Sequence, residues 1–485
     1  MPSFYFFAYL TVIALFIMRA LLRPNREPSS RLAWVMIMVL VPGLGMIAYV
    51  FFGETNIGRE RAARYKQIAE VTDALIAQAA DTTHKGLPSG DRYELVARRH
   101  APIFRTGQSI SEFRPVGGNT AEVMHDSVDA IDRLVADIDA ATDHVHVLFY
   151  IWLDDVSGLR VVEALRRAAQ RGVTVRAMAD DLGSRKLVRS EHWTSMERAG
   201  VRTARALPLG FLLLHPIRGR VDLRNHRKIV VIDNRITYCG SQNCADAAFR
   251  VKAKFAPWVD MQVRFEGPIA VQNQWLFVQD WMAHVDEDLR DLPRIPPEQS
   301  VAGGVIAQVN GTGPTVRASA MPEMFEALLH AARDSLTITT PYYVPTEAMQ
   351  SSICAAAYRG VRVRFVVPKR NDSWIVAAAS RSYYHDLLDA GVEIFEYPKG
   401  LLHTKSLVVD EDLAMIGSAN LDRRSFELNY ENNILFQHEA LAQAVLARQE
   451  EYIADSHRVT IEEVEAWSVW RRLWNNTIAM IGPVL

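Results

Sequence analysis

The segment HRKIVVIDNRITYCGSQN (226–243) occurs a second time later in the chain, as HTKSLVVDEDLAMIGSAN (403–420). The two segments align without a gap and start 177 residues apart (403 minus 226). Both begin with His-x-Lys, place an aspartate five residues after the lysine, and end in Gly-Ser-x-Asn. Similarity of this kind indicates an internal duplication, so we expect two copies of one supersecondary unit.

The sequence before each segment alternates between strand and helix patterns. In the first copy, β-branched and aromatic residues (144–152) precede a helical stretch (158–172) and a further strand (173–180). The second copy repeats this order between 335 and 368. Strand–helix–strand units with short loops predict an α/β fold of two pseudo-symmetric α/β/α lobes with mixed, largely parallel sheets. Within each repeated segment, a tight polar turn between two short apolar runs predicts a hairpin.

The repeated segment also brings chemically useful side chains together. Residues two apart on an extended strand point to the same face, so each histidine projects with its lysine and each serine with its asparagine. An imidazole can attack or shuttle protons near neutral pH, and the other three groups can donate to phosphoryl oxygens. Gly240 and Gly417 leave room for a ligand or backbone to come close. The candidate residues are His226, Lys228, Ser241, Asn243, His403, Lys405, Ser418 and Asn420.

The two motif aspartates, Asp233 and Asp410, are predicted to have a structural role. Each lies at an odd offset from its histidine and falls in the predicted turn, where a hydrogen bond to the backbone is the usual function. An interpretation of both histidines as core residues with satisfied hydrogen bonds would not explain the lysines beside them, which are costly to bury unpaired.

Two apolar stretches at the N-terminus predict a membrane anchor. The first runs from Phe4 to Leu22 with Arg19 near its end, and the second, from Leu32 to Phe52, carries no charge. A helix of that second length reaches roughly 30 Å, so two helices spanning a bilayer as a hairpin are expected. Cationic residues flank both sides of such a hairpin about equally, so the positive-inside rule leaves its orientation open.

The C-terminus carries a second feature that suits a membrane surface. Trp467, Trp470, Trp474, Ile478 and Ile481 are spaced three and four residues apart, as one apolar stripe of a helix. Such a helix fits a membrane interface, and a terminal helix docked on the core fits the pattern equally well.

Composition excludes several classes of protein. Of the 485 residues, 49% are hydrophobic, which is ample for buried cores. The chain has 54 Lys and Arg against 56 Asp and Glu, so it lacks the basic balance of a nucleic-acid binder. Its three cysteines, Cys239, Cys244 and Cys354, are too few for a disulfide scaffold and have no CxxC metal spacing.

The paired motifs, H-x-K-x4-D followed by GSQN or GSAN, resemble the HKD signatures of the phospholipase D superfamily. The apolar N-terminus and the run GSANLDRRSFELNYENN (417–433) narrow the resemblance to bacterial cardiolipin synthases. It extends over nearly the whole chain. It implies two phospholipase D-like lobes with one active site at their interface, and chemistry that needs neither a metal nor another cofactor.

The resemblance also implies roles for individual residues. One histidine, here His226, attacks a phosphodiester phosphorus to form a phosphatidyl-histidine, and His403 serves as the general acid and base. Both motif lysines and both asparagines neutralise and orient the phosphate. A carboxylate downstream of Gly-Ser-x-Asn orients each imidazole, namely Asp260 in the first copy and Glu431 in the second.

The implied reaction converts two phosphatidylglycerol molecules in a bacterial inner membrane into cardiolipin and glycerol. A multi-pass anchor would supply both lipids by lateral diffusion, and an apolar loop around Phe211–Leu214 is predicted to line an acyl-chain entrance. The near-neutral charge argues against a nucleic-acid partner. A hydrolase or another phosphatidyltransferase, an anchored endonuclease and an inactive lipid-binding scaffold stay open as alternatives, and so does a homodimer.

These features predict five regions. They are a transmembrane hairpin (1–55), a linker with an amphipathic helix (56–100), a first catalytic lobe (101–295), a second catalytic lobe (296–460) and a C-terminal interfacial helix (461–485).

Overall fold

The computed structural model describes residues 2–24, 26–82, 93–209, 219–220, 222–294 and 302–482. The loop around Phe211–Leu214, predicted to line an acyl-chain entrance, lies outside these residues. Four helices begin the chain: α1 (Pro2–Leu22), α2 (Pro28–Leu40), α3 (Pro42–Phe52) and α4 (Arg59–Thr82).

The first repeat contains the predicted strand–helix–strand unit and hairpin. Its helices include α6 and α7, which begin where the carboxylates of Asp126 and Asp155 accept backbone N–H groups of the first turn. In chain order the elements are α5 (Ala101–Ser111), β1 (Val116–Val123), α6 (Ser127–Asp139), β2 (His144–Phe149), α7 (Val156–Gln170), β3 (Thr174–Asp180), α8 (Glu191–Arg198), β4 (Arg202–Ala206), β5 (Ile229–Ile232), β6 (Ile236–Gly240), β7 (Trp258–Val259), β8 (Gln262–Glu266) and α9 (Ile269–His284).

The second repeat has the same core order with extra short elements. In chain order these are β9 (Val305–Thr312), α10 (Ala320–Ala331), β10 (Ser335–Thr339), β11 (Tyr343–Val344), α11 (Glu347–Tyr358), β12 (Arg362–Pro368), α12 (Trp374–Ser382), α13 (Tyr384–Asp389), β13 (Glu393–Tyr397), β14 (Leu401–Leu402), β15 (Ser406–Val409), β16 (Leu413–Gly417), β17 (Leu421–Asp422), α14 (Arg423–Glu427), β18 (Glu431–Gln437), α15 (Glu439–Ala454), β19 (His457–Val459), α16 (Ile461–Glu465) and α17 (Val469–Ile481).

Within the described residues, one continuous sheet of 15 strands runs through both repeats. Its order is β19-β13-β12-β10-β15-β16-β18-β9-β1-β8-β6-β5-β2-β3-β4. The two repeats meet where β9 pairs with β1. Counted outward from this pair, each strand of the first repeat occupies the same position as its counterpart in the second repeat, and β19 is an additional edge strand. The duplication therefore folds as two pseudo-symmetric halves of one mixed sheet.

The expectation of a largely parallel sheet is wrong. Four of the fourteen neighbouring pairs in the large sheet are parallel, and ten are antiparallel. The parallel pairs come from the helix crossovers that the sequence pattern revealed. The hairpins β5–β6 and β15–β16 pair antiparallel because a short turn reverses the chain, and the strands β1, β8, β9 and β18 also pair antiparallel with their neighbours.

Helix α9 ties the sheet to the site. It is buried on nearly all sides, so its polar side chains must find partners within the protein. Asn273 donates to the Thr237 hydroxyl at 2.8 Å, and Asp280 accepts from Arg227 at 3.0 Å. Since Arg227 stands between the first motif's histidine and lysine, this buried ion pair fixes the motif backbone against the core.

The second apolar stretch at the N-terminus does not form the single helix expected over Leu32–Phe52. It is broken at Val41 into α2 and α3, because Pro42 has no N–H to continue the helix and its ring clashes with the preceding turn. Among the described residues, only the Phe4–Leu22 part of α1 is long and apolar enough to cross a membrane.

The C-terminal helix α17 is docked on the second repeat, one of the two arrangements that its sequence allowed. It packs on α12, where Ile478 is buried and the Trp474 ring stacks on Trp374 with centroids 5.8 Å apart. Trp470 and Leu473, nearer the start of the helix, are exposed.

Candidate active site

The candidate residues collect at one edge of each hairpin. In the first motif, the strand β5 begins just after His226 and Lys228, and β6 ends just before Ser241 and Asn243. The sequence pattern had placed these residues within the strands, but they flank them. Because β5 and β6 are antiparallel, the start of one and the end of the other meet at the same edge. The second motif is arranged in the same way around β15 and β16.

The His226 ring has contacts with both repeats. Its Nδ1 lies 3.4 Å from Glu431 Oε1 and 3.1 Å from the Asn429 amide, both of the second repeat. The ring packs on Tyr150 with centroids 4.0 Å apart, and its side chain is 20% exposed. The Nδ1 contacts leave Nε2 as the nitrogen available to a substrate.

The His403 ring has a tighter and more buried arrangement. Its Nδ1 lies 2.6 Å from Asp260 Oδ1 of the first repeat. The ring packs on Trp258 at 4.5 Å between centroids, and its side chain is 9% exposed. Again Nε2 is left for chemistry.

Each acid therefore serves the histidine of the other repeat, whereas we expected each to serve its own copy. A backbone contact between the repeats causes the exchange. Leu402 pairs with Val259, and Asn225 pairs with Tyr430, so in both cases the residue before a histidine lies beside the residue before an acid. The histidine N–H groups complete these pairs, donating to the carbonyls of Tyr430 and Val259 at 2.9 and 2.8 Å.

The two serines, predicted to bind substrate, contact the acids. The Ser241 hydroxyl donates to Asp260 at 2.6 Å, and the Ser418 hydroxyl donates to Glu431 at 2.5 Å. Each hydroxyl oxygen also accepts the backbone N–H of the residue that follows its acid. With its proton directed to a carboxylate, each serine holds an acid in place instead of donating to a phosphate.

Both motif lysines are buried and turn back toward their own histidines. Lys228 Nζ donates to the His226 carbonyl at 2.8 Å, and Lys405 Nζ donates to the His403 carbonyl at 2.6 Å. Burial, with a smaller contribution from Lys228 nearby, lowers the pKa of Lys405 to about 7 against the opposing charge of Asp260. Burial also lowers the pKa of Lys228, against the charges of Glu431 and Asp260. These couplings across the repeats place all four charges in one site.

Electrostatics favour neutral histidines and ionised acids in the unliganded site. Burial, then Lys405, lowers the pKa of His403 to about 4. Burial also lowers the pKa of His226, and Glu431 partly counters it. For Asp260 and Glu431 burial disfavours the charge, but the facing histidine, the nearby motif lysine and the serine hydroxyl together outweigh burial and lower the pKa of each acid. A neutral imidazole that donates from Nδ1 to a carboxylate has an unprotonated Nε2.

The asparagines and glycines of the motifs complete the edge. Asn243 and Asn420 are buried, and within the described residues their amide oxygens have no hydrogen-bond partner. A side-chain carbon on Gly240 would lie 2.2 Å from the Met261 carbonyl, and one on Gly417 would lie 2.4 Å from the Asn432 carbonyl. The glycines thus allow the neighbouring strand, not a ligand, to come close.

The motif aspartates lie away from the reacting groups, as predicted. The Asp233 carboxylate accepts the backbone N–H groups of Thr142, Asp143 and His144 at 2.9 Å. Asp410 accepts the equivalent groups of residues 333–335 at 2.9–3.1 Å. Each aspartate therefore anchors the turn of its hairpin to the start of the neighbouring strand.

Sequence reasoning missed several residues of the site. Tyr150 and Trp258, which pack on the histidines, and Asn429, which contacts His226, were not among the candidates. Tyr150 directly follows β2, and polar or aromatic residues at the ends of parallel strands are a recognised signal for a site. Asn429 lies two residues before Glu431 within the quoted run, but no local pattern points to it.

The chain is similar to known proteins over nearly its full length. The family model described as "Cardiolipin synthase, PLD-like domain" matches residues 134–261 and 325–452, and "Phospholipase_D-nuclease N-terminal" matches residues 10–54. The chain is 35% identical to cardiolipin synthase A of Proteus mirabilis, over 99% of this chain and 98% of that protein. It is 33% identical to cardiolipin synthase A of Yersinia pseudotuberculosis, over 99% and 97% of the two chains.

A solved structure supports the fold. Phosphatidylserine synthase of Haemophilus influenzae superposes with a TM-score of 0.58 at 12% identity, covering 79% of this chain and 100% of that one. At that identity the likeness concerns the architecture alone. The repeated sequence, the family match over both repeats and the full-length relatives agree, and the chain belongs to the cardiolipin synthase family of phospholipase D-like proteins.

Proposed function

We propose that this protein is a phosphatidyltransferase that makes cardiolipin and glycerol from two phosphatidylglycerol molecules. The observation that carries the proposal is the crossed pair of histidine–carboxylate contacts, His403 with Asp260 and His226 with Glu431, beside two buried lysines. Two imidazoles that each have a free Nε2 suit a reaction in which one nitrogen binds phosphorus and the other moves a proton.

In the first step His226 Nε2 attacks the phosphorus of one phosphatidylglycerol. A P–N bond forms, the P–O bond to the head-group glycerol breaks, and His403 Nε2 delivers a proton to the departing oxygen. The neutral His226 of the unliganded site is ready to attack. His403 must first bind a proton, which the tight Asp260 contact and the negative charge of the bound phosphodiester favour.

In the second step the head-group hydroxyl of another phosphatidylglycerol replaces the histidine. His403, now neutral, removes the hydroxyl proton while the oxygen attacks phosphorus and the P–N bond breaks. The first step exchanges a P–O bond for a P–N bond and the second exchanges that P–N bond for a new P–O bond, so the transfer is reversible. Lys228 and Lys405 stabilise the charge on the phosphoryl oxygens, and Asn243 and Asn420 orient them.

We assign different roles to the remaining polar groups of the motifs. Ser241 and Ser418 position Asp260 and Glu431, as their hydroxyl contacts indicate. The motif aspartates stabilise the two hairpins, and neither is given a chemical step.

We place the enzyme at the bacterial inner membrane. The Phe4–Leu22 part of α1 provides the anchor, and the exposed Trp470 and Leu473 of α17 suit contact with the interfacial region of the bilayer. Anchoring supplies donor and acceptor lipids at high effective concentration in two dimensions, which favours a lipid hydroxyl over water as the acceptor.

Purified protein in phosphatidylglycerol vesicles tests this function. Lipid labelled in its head-group glycerol should release one free glycerol for each cardiolipin formed, and a His226→Ala variant should release none. Phosphatidic acid as the main product would show a hydrolase instead. Cleavage of plasmid DNA that weakens steeply with salt would show a nuclease.

A further inference from the structure

The two short N-terminal helices fold against each other. The Trp34 and Tyr49 rings lie 5.3 Å apart between centroids. An ideal side-chain carbon on Gly45 would come within 2.6 Å of the Ile37 carbonyl and 3.0 Å of the Met38 backbone. In each of these contacts the numbers of the two facing residues add up to about 83. A constant sum means that the two helices run antiparallel from a tight turn between them. In one straight helix, Trp34 and Tyr49 would be about 22 Å apart.

Neither helix is long enough to cross a bilayer. With 13 residues in α2 and 11 in α3, their lengths are about 20 and 17 Å, against a hydrocarbon core about 30 Å thick. The 19-residue Phe4–Leu22 part of α1 reaches about 28 Å and does match that thickness.

Contacts at the base of the pair place both of its ends on the side of the catalytic repeats. Before α2, Arg26 pairs with Glu427 at 2.6 Å, and Glu27 pairs with Arg423 at 2.5 Å. After α3, the Asn56 carbonyl accepts the Arg220 N–H at 2.6 Å. If the α2–α3 segment crossed the membrane from one face to the other, its two ends could not both contact the catalytic repeats.

The end of α1 is held at the same level. Arg19 and Arg23, at its C-terminal end, pair with Glu54 just after α3, at 2.6 and 3.1 Å. The N-terminal end of α1 therefore lies across the membrane from the catalytic repeats, since α1 itself spans.

The outer surface of the α2–α3 pair suits hydrocarbon. The stretch from Leu32 to Phe52 contains no charged residue. Trp34 and Met38 are buried inside the pair, while the tip exposes Leu40 and Leu44, each with 70% of its surface open. Because this exposed apolar tip belongs to the same helical unit as the membrane-spanning α1, hydrocarbon chains of the same bilayer would cover it.

We propose that the protein crosses the membrane once, through α1, and that α2 and α3 form a re-entrant hairpin in the leaflet on the catalytic side. This arrangement also sets the orientation. A hairpin of two membrane-spanning helices would divide eight cationic residues between the two faces of the membrane. In the proposed arrangement all eight lie on the face of the catalytic repeats, and residues 1–18 contain no Lys or Arg. By the positive-inside rule the catalytic repeats face the cytoplasm. The cationic residues are Arg19, Arg23, Arg26, Arg31, Arg59, Arg61, Arg64 and Lys66.

Labelling of single cysteines in intact cells tests the arrangement. The background variant is Cys354→Ser, and the remaining native cysteines, Cys239 and Cys244, are buried. Into this background a single cysteine is introduced ahead of Phe4, at Ser29, at Gly43 or at Thr194. An added side chain at Gly43 meets nothing within 4 Å, and Thr194 is an exposed control on α8 of the first repeat. Each variant is first checked for cardiolipin synthesis, which shows that it folds.

A membrane-impermeant maleimide should label the cysteine ahead of Phe4 in intact cells. Cysteines at positions 29 and 194 should react only after the cytoplasmic face is opened, and the one at position 43 only in detergent. The inference would be overturned if positions 29 and 194 reacted from opposite faces, if position 43 reacted without detergent, or if position 194 reacted in intact cells. Because the inference rests on the proposed membrane location, the protein is recovered after labelling from alkali-washed membranes. Absence of the protein from that fraction would count against the location itself.

Discussion

Asp260 and His403 are separated by 143 residues in the chain, lie in different repeats, and meet at 2.6 Å. The second such contact, between His226 and Glu431, is longer at 3.4 Å. Neither repeat therefore holds a complete histidine–carboxylate pair of its own. One repeat alone could not carry out the proposed chemistry, because its histidine would lack the carboxylate that the other repeat supplies. This explains why both motifs occur in one chain.

The shorter contact is expected to matter more for catalysis. Asp260→Asn removes the charge that stabilises the His403 imidazolium, and kcat should fall on the order of 10³-fold. Glu431→Gln should cost on the order of 10²-fold or less, because Asn429 still contacts the His226 ring. Vesicle assays of cardiolipin formation measure both. The exposed Asp132→Asn serves as the matched control, and a larger loss for Glu431→Gln would contradict the ranking.

The covalent intermediate is predicted on His226. A phosphatidyl donor with a nitrophenol leaving group needs no acid in the first step, so His403→Ala should accumulate the adduct while His226→Ala forms none. Protein denatured at alkaline pH, which preserves the P–N bond, is digested and mapped by mass spectrometry. An adduct on the peptide that contains residue 403 would reverse the two roles.

The pH dependence of kcat/KM should follow the His226 environment. Since burial lowers its pKa, the ring stays neutral to below its ordinary value of about 6.5, and the acid limb should lie below that pH. Glu431 opposes the shift, so Glu431→Gln lowers the pKa further and moves the limb to still lower pH. A limb that moved upward would be inconsistent with this environment, and Asp132→Asn should leave it unchanged.

Replacing the buried Lys405 should stabilise the protein while abolishing transfer. Its pKa of about 7 in the folded protein lies below the ordinary value, so the unfolded chain binds more protons above pH 7. Stability should therefore rise with pH from about 7 to 10, and this gain should be absent in Lys405→Met. At pH 6 the variant should be more stable by about 1–3 kcal/mol, as seen in thermal unfolding in detergent. The exposed Lys399→Met is the control, and a destabilised Lys405→Met would refute the prediction.

The Arg227–Asp280 pair is expected to contribute to folding. Both side chains are buried, and Arg227 also donates to the carbonyls of Glu431 and Thr312 at 3.2 and 3.1 Å. Asp280→Ala leaves a buried guanidinium without its counter-charge and should cost about 3–5 kcal/mol in the free energy of unfolding. Denaturant unfolding measures the loss, and a change below about 1 kcal/mol, the range of an exposed pair, would show that the pair is dispensable.

The amino-acid sequence was sufficient for the duplication, the strand–helix–strand units and the two hairpins, because residues close together in the chain encode their periodicity and turns. It also identified the histidines and lysines, since a costly pair of buried cations repeated at one spacing has few structural explanations. The antiparallel majority of the sheet was missed, because returning strands such as β8 and β18 carry no local sign of their neighbours.

Tertiary structure alone decided which acid serves which histidine and how the apolar N-terminal stretch folds. The pairing of Leu402 with Val259 depends on how two distant segments join at the interface of the repeats, and no pattern within either segment contains that information. Hydropathy likewise identified the apolar stretch Leu32–Phe52, but it could not predict that the chain reverses at Pro42. That reversal is stabilised by packing between Trp34 and Tyr49. Local sequence encodes elements, whereas contacts between distant residues depend on the shape of the assembled fold.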